Sequence, residues 1–203
     1  MIYMINCSYK GRTSNSRYFL GLLEKEIKKY SDTECVVKNI KNIIVRGFDD
    51  FVEDIKGAEA LVIGAPLYVD GLPAQVVKLL EMIMERCADE FPAIPVYVVS
   101  NLGFYEPQQI RPLFDIVKNW CDKIGTVYGG GIAVGAGPMV RIIQEKSLPA
   151  VLYRKVDQDF SKLAKAVEQG QAVENIYCSS AVPRGVYLKY AHKMFNKALR
   201  ENK

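Results

Sequence analysis

Five short apolar runs, at residues 2–6, 35–40, 60–64, 96–100 and 127–134, alternate along this chain with longer segments of helical periodicity. The runs are rich in β-branched residues and lack polar alternation, as strands buried on both faces do. Between them, residues 15–30 place Phe19, Leu22, Leu23 and Ile27 on one helical face. Residues 73–88 do the same with Val76, Val77, Leu80, Ile83 and Met84, and residues 48–55, 108–124 and 157–168 behave likewise. Pro73 suits a first helical turn and Gly125 a helix end. Strict alternation of strand and helix implies parallel βαβ units, and hence an α/β fold with a doubly wound sheet. Residues beyond 170 break the alternation. One domain is therefore expected over residues 1–170, with a C-terminal helical extension over 171–203 packed on that domain or on a partner copy.

A chain of 203 residues can bury a core without covalent staples. No window reaches 18 uncharged apolar residues, so no membrane-spanning helix is expected. The N-terminus reads as a strand rather than a signal peptide, and cytoplasm is the expected location. The five cysteines are scattered and His192 is the lone histidine, so neither a metal site nor an iron–sulfur cluster is expected. From residue 184 on, Arg184, Lys189, Lys193, Lys197, Arg200 and Lys203 stand against Glu201 alone. Taking these from the 27 basic and 23 acidic residues leaves 21 and 22, so the net charge of +4 belongs to the tail. No nucleic-acid face is expected. In that tail Leu188, Ala191, Met194, Phe195 and Ala198 recur at helical spacing. A helix packed on its own domain or a dimer partner is the expected reading, ahead of one lying on a membrane.

In an open parallel sheet, ligands bind beyond the carboxyl ends of the strands, where strand order reverses. Three loops matter on that rule: 8–16, 65–72 and 101–106. The first, SYKGRTSNS, supplies Ser8, Ser14, Asn15 and Ser16 with Lys10 and Arg12, and the first acid in the chain is Glu24. A polar loop without acids before a helix N-terminus is suited to an anion. The plainer alternative is one capping residue, a need that five hydroxyl and amide side chains exceed. The loop matches neither the dinucleotide nor the P-loop glycine pattern. The second loop places Pro66, Leu67, Tyr68 and Val69 at a strand exit, suited to stacking on a flat ligand. The third offers Asn101, Leu102, Gly103 and Phe104, whose side-chain and backbone polar groups suit the edge of a heterocycle.

With these three loops in order, the chain resembles the flavodoxin-like NAD(P)H-dependent FMN reductases. Their first loop, INGSPRGKNSNS, is similar to INCSYKGRTSNS here, and their SPVYxGxLPAxxK to APLYVDGLPAQVVK. Gly103, Phe104 and Glu106 match their third loop. The stretches GGGIAVGAG and PRGVYLKYAHKMFNKALREN resemble clostridial-type members. The resemblance implies a flavodoxin-like five-stranded sheet of order 2-1-3-4-5, FMN as cofactor, NADH or NADPH as reductant, a small electron acceptor and a homodimer. It implies that Ser8, Ser14, Asn15 and Ser16 hold the FMN phosphate, that Pro66, Leu67 and Tyr68 line the flavin, and that Asn101 and Gly103 face its edge. Flavin N5 would carry the chemistry, with no catalytic side chain. Cys7 and Tyr9 depart from the family's glycine and proline, and Asp70 adds a charge to the second loop. Two other readings stand beside this one: a flavodoxin-type electron carrier, though such carriers are strongly acidic, and a non-catalytic phosphate-binding module.

Overall fold

Each apolar run forms a strand, and a sixth joins them. In the computed structural model, which describes residues 1–201, the sheet comprises β1 (Ile2–Asn6), β2 (Cys35–Asn39), β3 (Ala60–Pro66), β4 (Pro95–Asn101), β5 (Val127–Val134) and β6 (Ile176–Cys178). All neighbours are parallel, in the order β2-β1-β3-β4-β5-β6. The expected five strands of order 2-1-3-4-5 are thus correct in sequence but one short. Residues 176–178 were expected in a purely helical extension; instead they pair Ile132 with Ile176 and Val134 with Cys178. Three residues are too few to show any periodicity, and what places them is the free edge of β5, which a short strand covers.

The helices are α1 (Asn15–Ile27), α2 (Ile40–Arg46), α3 (Phe48–Lys56), α4 (Ala74–Arg86), α5 (Arg111–Ile124), α6 (Gly137–Glu145), α7 (Arg154–Glu168) and α8 (Arg184–Glu201). Helices α2 and α6 have no counterpart in the periodicity reading. The side chains of residues 197, 198 and 201, and residues 202–203, lie outside the described residues, so the expected roles of Lys197, Ala198 and Lys203 in the tail do too. Alternation within each strand divides the core in two. Tyr3, Ile5, Leu61, Ile63, Val96 and Val98 face α2 to α5, with Phe51, Leu79 and Phe114. Ile2, Met4, Val62, Tyr97, Val99 and Val134 face α1 and α7, with Phe19, Leu23 and Phe160. No described helix is long and apolar enough to cross a membrane.

One irregularity fixes the far half of the sheet. Val96 pairs with Tyr128 but Tyr97 pairs with Gly130, so Gly129 is an extra residue in β5. The bulge turns the strand under the fully buried ring of Tyr97. The Tyr97 hydroxyl reaches the carbonyls of Ala166 and Gln171, at 2.9 and 2.8 Å, closing the sheet onto the end of α7. Burial raises this phenol to about 12, so it stays a protonated donor at any ordinary pH. Tyr97→Phe is expected to cost about 1–2 kcal/mol in urea unfolding, because it removes both hydrogen bonds of a buried hydroxyl, to the carbonyls of Ala166 and Gln171.

Candidate functional site

The first loop is organised from behind by Asn6, the last residue of β1, which is fully buried. Its Nδ2 donates to the Gly11 carbonyl (2.9 Å) and to Asn39 Oδ1 (3.0 Å). Its Oδ1 accepts from the Ser8 amide (3.3 Å) and the Ser14 hydroxyl (3.2 Å). Residues Gly11–Thr13 make a single 3-10 turn, with Gly11 at φ 57°, before Ser14 caps α1. The Ser14 hydroxyl oxygen accepts from the Arg17 amide (3.1 Å), and its carbonyl accepts from the Tyr18 amide (3.1 Å). The two preceding amides, of Asn15 and Ser16, have no acceptor among the described residues. They are the orphan donors of a helix start, at the positive end of its dipole. Cys7 turns away from the loop into the core, its thiol 3.6 Å from the Ile5 carbonyl. Burial pushes that thiol well above its ordinary range, so it is neutral and no nucleophile.

The second loop leaves β3 at Pro66 and closes on itself, Tyr68 and Gly71 exchanging backbone hydrogen bonds of 3.1 and 3.0 Å. Val69 and Asp70 sit at the tip with φ of 46° and 57°. Left-handed geometry is costly for a β-branched residue, so this tip is strained. Asp70 is exposed at the tip and does not line the pocket described below, so the charge it adds stays in solvent.

The third loop is tied down on nearly every side. Asn101 Nδ2 donates to Ser16 Oγ (3.0 Å), joining β4 to the start of α1. The Asn101 carbonyl accepts from the Leu67 amide (3.0 Å), joining the second loop to the third. The Leu102 amide and carbonyl bond Val134 (3.2 Å) and Gly137 (2.9 Å), and the Phe104 carbonyl accepts from Ala136 (2.6 Å). The Gly103 carbonyl accepts from the Tyr187 hydroxyl of α8. The edge this loop offers is therefore narrower than expected: the carbonyls of 102 to 104 and the Asn101 amide are engaged. The amides of Gly103 and Phe104 have no acceptor among the described residues. It is an edge of donors.

Helix α8 grips this loop from outside. Besides the Tyr187 bond, Arg184 Nε lies 2.6 Å from Glu106 Oε1 and Tyr105 donates to the Val182 carbonyl (2.9 Å). The Tyr105 and Tyr187 rings stand 5.7 Å apart. The Arg184 hydrogen bond holds the Glu106 carboxyl below its usual range.

The three loops enclose one pocket of about 290 Å³. Eleven of the fourteen expected residues line it: Ser8, Lys10, Ser14, Asn15, Ser16, Pro66, Leu67, Tyr68, Asn101, Leu102 and Gly103. Arg12, Val69 and Phe104 do not. Arg12 follows the 3-10 turn to the opposite side of α1, Val69 projects from the strained tip, and Phe104 is exposed beyond the rim. Pro138, at the start of α6, completes the wall and was not expected. Asn6 was missed as well, because it reads as the end of a strand; the signal was a buried-strand position filled by an amide just before a polar loop. No group of three or more possible metal ligands exists among the described residues.

No protein-family model matches the sequence, and no curated protein matches it either. Solved structures do. An NADH:FMN oxidoreductase in its apo form aligns over 85% of this chain and 90% of its own, with a TM-score of 0.62 at 12% identity. An azoreductase from Bacillus anthracis aligns over 80% and 97%, with a TM-score of 0.56 at 11% identity. The flavodoxin of Megasphaera elsdenii aligns over 83% and 99%, with a TM-score of 0.55 at 15% identity. The chain has the flavodoxin fold, its parallel sheet widened by a sixth strand.

Proposed function

We propose that the protein is an FMN-dependent oxidoreductase that takes electrons from NADH or NADPH and passes them to a small acceptor such as a quinone, a flavin or a nitro-compound. One observation carries the reading: three separate loops converge on a pocket whose twelve lining residues include no carboxylate. The residues present fit the cofactor. Ser8, Ser14, Asn15 and Ser16, with the free amides of Asn15 and Ser16, would hold its phosphate, and Lys10 adds positive charge at the rim. Pro66, Leu67 and Tyr68 would line the ring, and the Gly103 amide would meet an acceptor edge. Arg12, Val69 and Phe104 fall outside the pocket and are no longer assigned to it by their side chains.

Bound there, FMN supplies hydride acceptance and onward electron transfer. The chain orients it and sets its surroundings. Because the first turn of α1 and the Gly103 amide are both donors, negative charge is favoured at each end of the pocket. Cys7 is neutral and buried and takes no part. The named activities of solved structures with the same fold, an azoreductase and an NADH:FMN oxidoreductase, agree with this reading. A homodimer in the cytoplasm belongs to it too. Exposed Val77, Met84 and Ile116 on α4 and α5 support that assembly, which sedimentation of the loaded protein would check.

The test is to load the purified protein with FMN and add NADH or NADPH without oxygen. Direct bleaching of the bound flavin by one of them is the expected result. Bound flavin that neither nucleotide bleaches would make the protein an electron carrier instead. A protein that takes up no FMN would leave a phosphate-binding module.

A further inference from the structure

A second cavity is larger than the three-loop pocket. It is a groove of about 770 Å³ on the other side of α1, between that helix, half-buried Val37 and Asn39 of β2, and Arg141 in the middle of α6. Four cations line it, Arg12, Arg17, Lys25 and Arg141, and no carboxylate does. Ser14 is the only residue it shares with the three-loop pocket.

Two features distinguish the groove from an ordinary solvated basic face. The first is Arg141, which is held before any ligand arrives. Its Nη1 donates to the Thr13 carbonyl (2.8 Å) and more weakly to Asn15 Oδ1 (3.4 Å), and its Nε to Glu145 (2.7 Å). The guanidinium lies 5.3 Å from the centre of the Tyr18 ring. Its Nη2 has no acceptor among the described residues, so one face of a fixed fork stays open. Arg141 is paired with Glu145, whereas Arg12, Arg17 and Lys25 form no ion pair among the described residues.

The second feature is Gly21, in the middle of α1. An interior glycine weakens a helix by roughly 1 kcal/mol relative to alanine, and is usually explained by a close packing partner. Here no partner requires it. A Cβ at this position would meet only the Arg17 Nη1 atom, at 3.3 Å. Gly21 lies one turn from both Arg17 and Lys25, so the bare backbone forms the floor between two cations. Leu22 and Val37 extend that floor with half-buried apolar surface.

We infer that this groove binds a phosphorylated nucleotide, its phosphates on Arg17, Lys25 and the open face of Arg141 and its base over Gly21, Leu22 and Val37. A bare phosphate would use little of such a volume, which falls in the range of small-molecule sites. An extended nucleic acid is not favoured, because Arg141 is paired with Glu145 and Glu24 stands beside Lys25 in the chain. The nucleotide could be free or the adenylate half of a dinucleotide; the chemistry is the same, and the experiment separates them.

Isothermal titration of the full-length, FMN-treated protein with AMP, ATP, NAD+, NADP+, adenosine, inorganic phosphate and a short single-stranded oligonucleotide tests this. At least one nucleotide is expected to bind below about 1 mM, and adenosine and phosphate at least ten times more weakly. AMP or ATP binding better than NAD+ and NADP+ marks a free nucleotide, and the reverse marks a dinucleotide. Two variants are then compared. Arg17→Ala with Lys25→Ala is expected to weaken that binding at least tenfold. Gly21→Leu should do the same while leaving melting unchanged or raised, since leucine is the better helix former. FMN uptake should be unaltered in both, because none of the three residues lines the other pocket. No nucleotide binding at about 1 mM, binding unchanged in both variants, or tighter binding to phosphate or the oligonucleotide would each overturn the assignment.

Discussion

Replacing Asn15 with aspartate is expected to weaken FMN binding by about two orders of magnitude while leaving the apoprotein as stable as the wild type. The change alters almost no volume. Asn15 is the first residue of α1 and lines the three-loop pocket. In the free protein the new carboxylate is well placed: it sits at the positive end of the helix dipole, and Arg141 Nη1 already points at this side chain from 3.4 Å. Once a phosphate enters, two like charges share one cradle. Unit charges roughly 5 Å apart repel by about 3 kcal/mol at an effective dielectric of about 20, close to a 150-fold loss. Riboflavin has no phosphate and provides the control. Fluorescence titration of the variant should show FMN affinity collapsing toward that of riboflavin, with riboflavin affinity unchanged. An equal loss for both flavins would mean that the phosphate does not sit on this loop.

The second large effect concerns the fold. Gly130→Ala is expected to destabilise the protein by about 4 kcal/mol, lowering the melting temperature by roughly 10 °C. Gly130 has φ 105°, a region other residues rarely adopt, and an added Cβ would lie 2.2 Å from the Val173 carbonyl oxygen. That oxygen is backbone, so relief requires moving the segment that leads into β6. Gly170→Ala is the comparison. It too has a positive φ, of 63°, but open space around it, and should cost only the conformational strain, about 1 kcal/mol. Equal losses at the two positions would show that strain alone, and not the Val173 contact, decides the outcome.

Much of this was legible in the sequence because each signal was contiguous. An apolar run followed by a polar, acid-free loop and an amphipathic helix gives its own location away, and the parallel topology then brings three such loops to one end of the sheet. What escaped depends on orientation or on distance along the chain. Lys10 and Arg12 are equivalent in composition, yet the 3-10 turn sends one to the pocket and the other to the opposite groove. Helix α2 follows β2 with no intervening loop, and α6 opens with glycine and proline, so neither shows the usual boundary. Strand β6 is three residues long. The Tyr187 contact joins residues 84 positions apart, and nothing local in either segment announces it.

That contact has a thermodynamic corollary. The Gly103 carbonyl is bonded to α8 and Gly103 itself lines the pocket, so site and helix share one residue. If a ligand stabilises the loop in its present position, it must by linkage also stabilise the helix against being lifted away, and by the same factor in the opposite direction. A partner that draws α8 off the body would then act as an antagonist of the cofactor without approaching it. The last helix, remote in sequence from every ligand-facing loop, is in this sense a handle on the site.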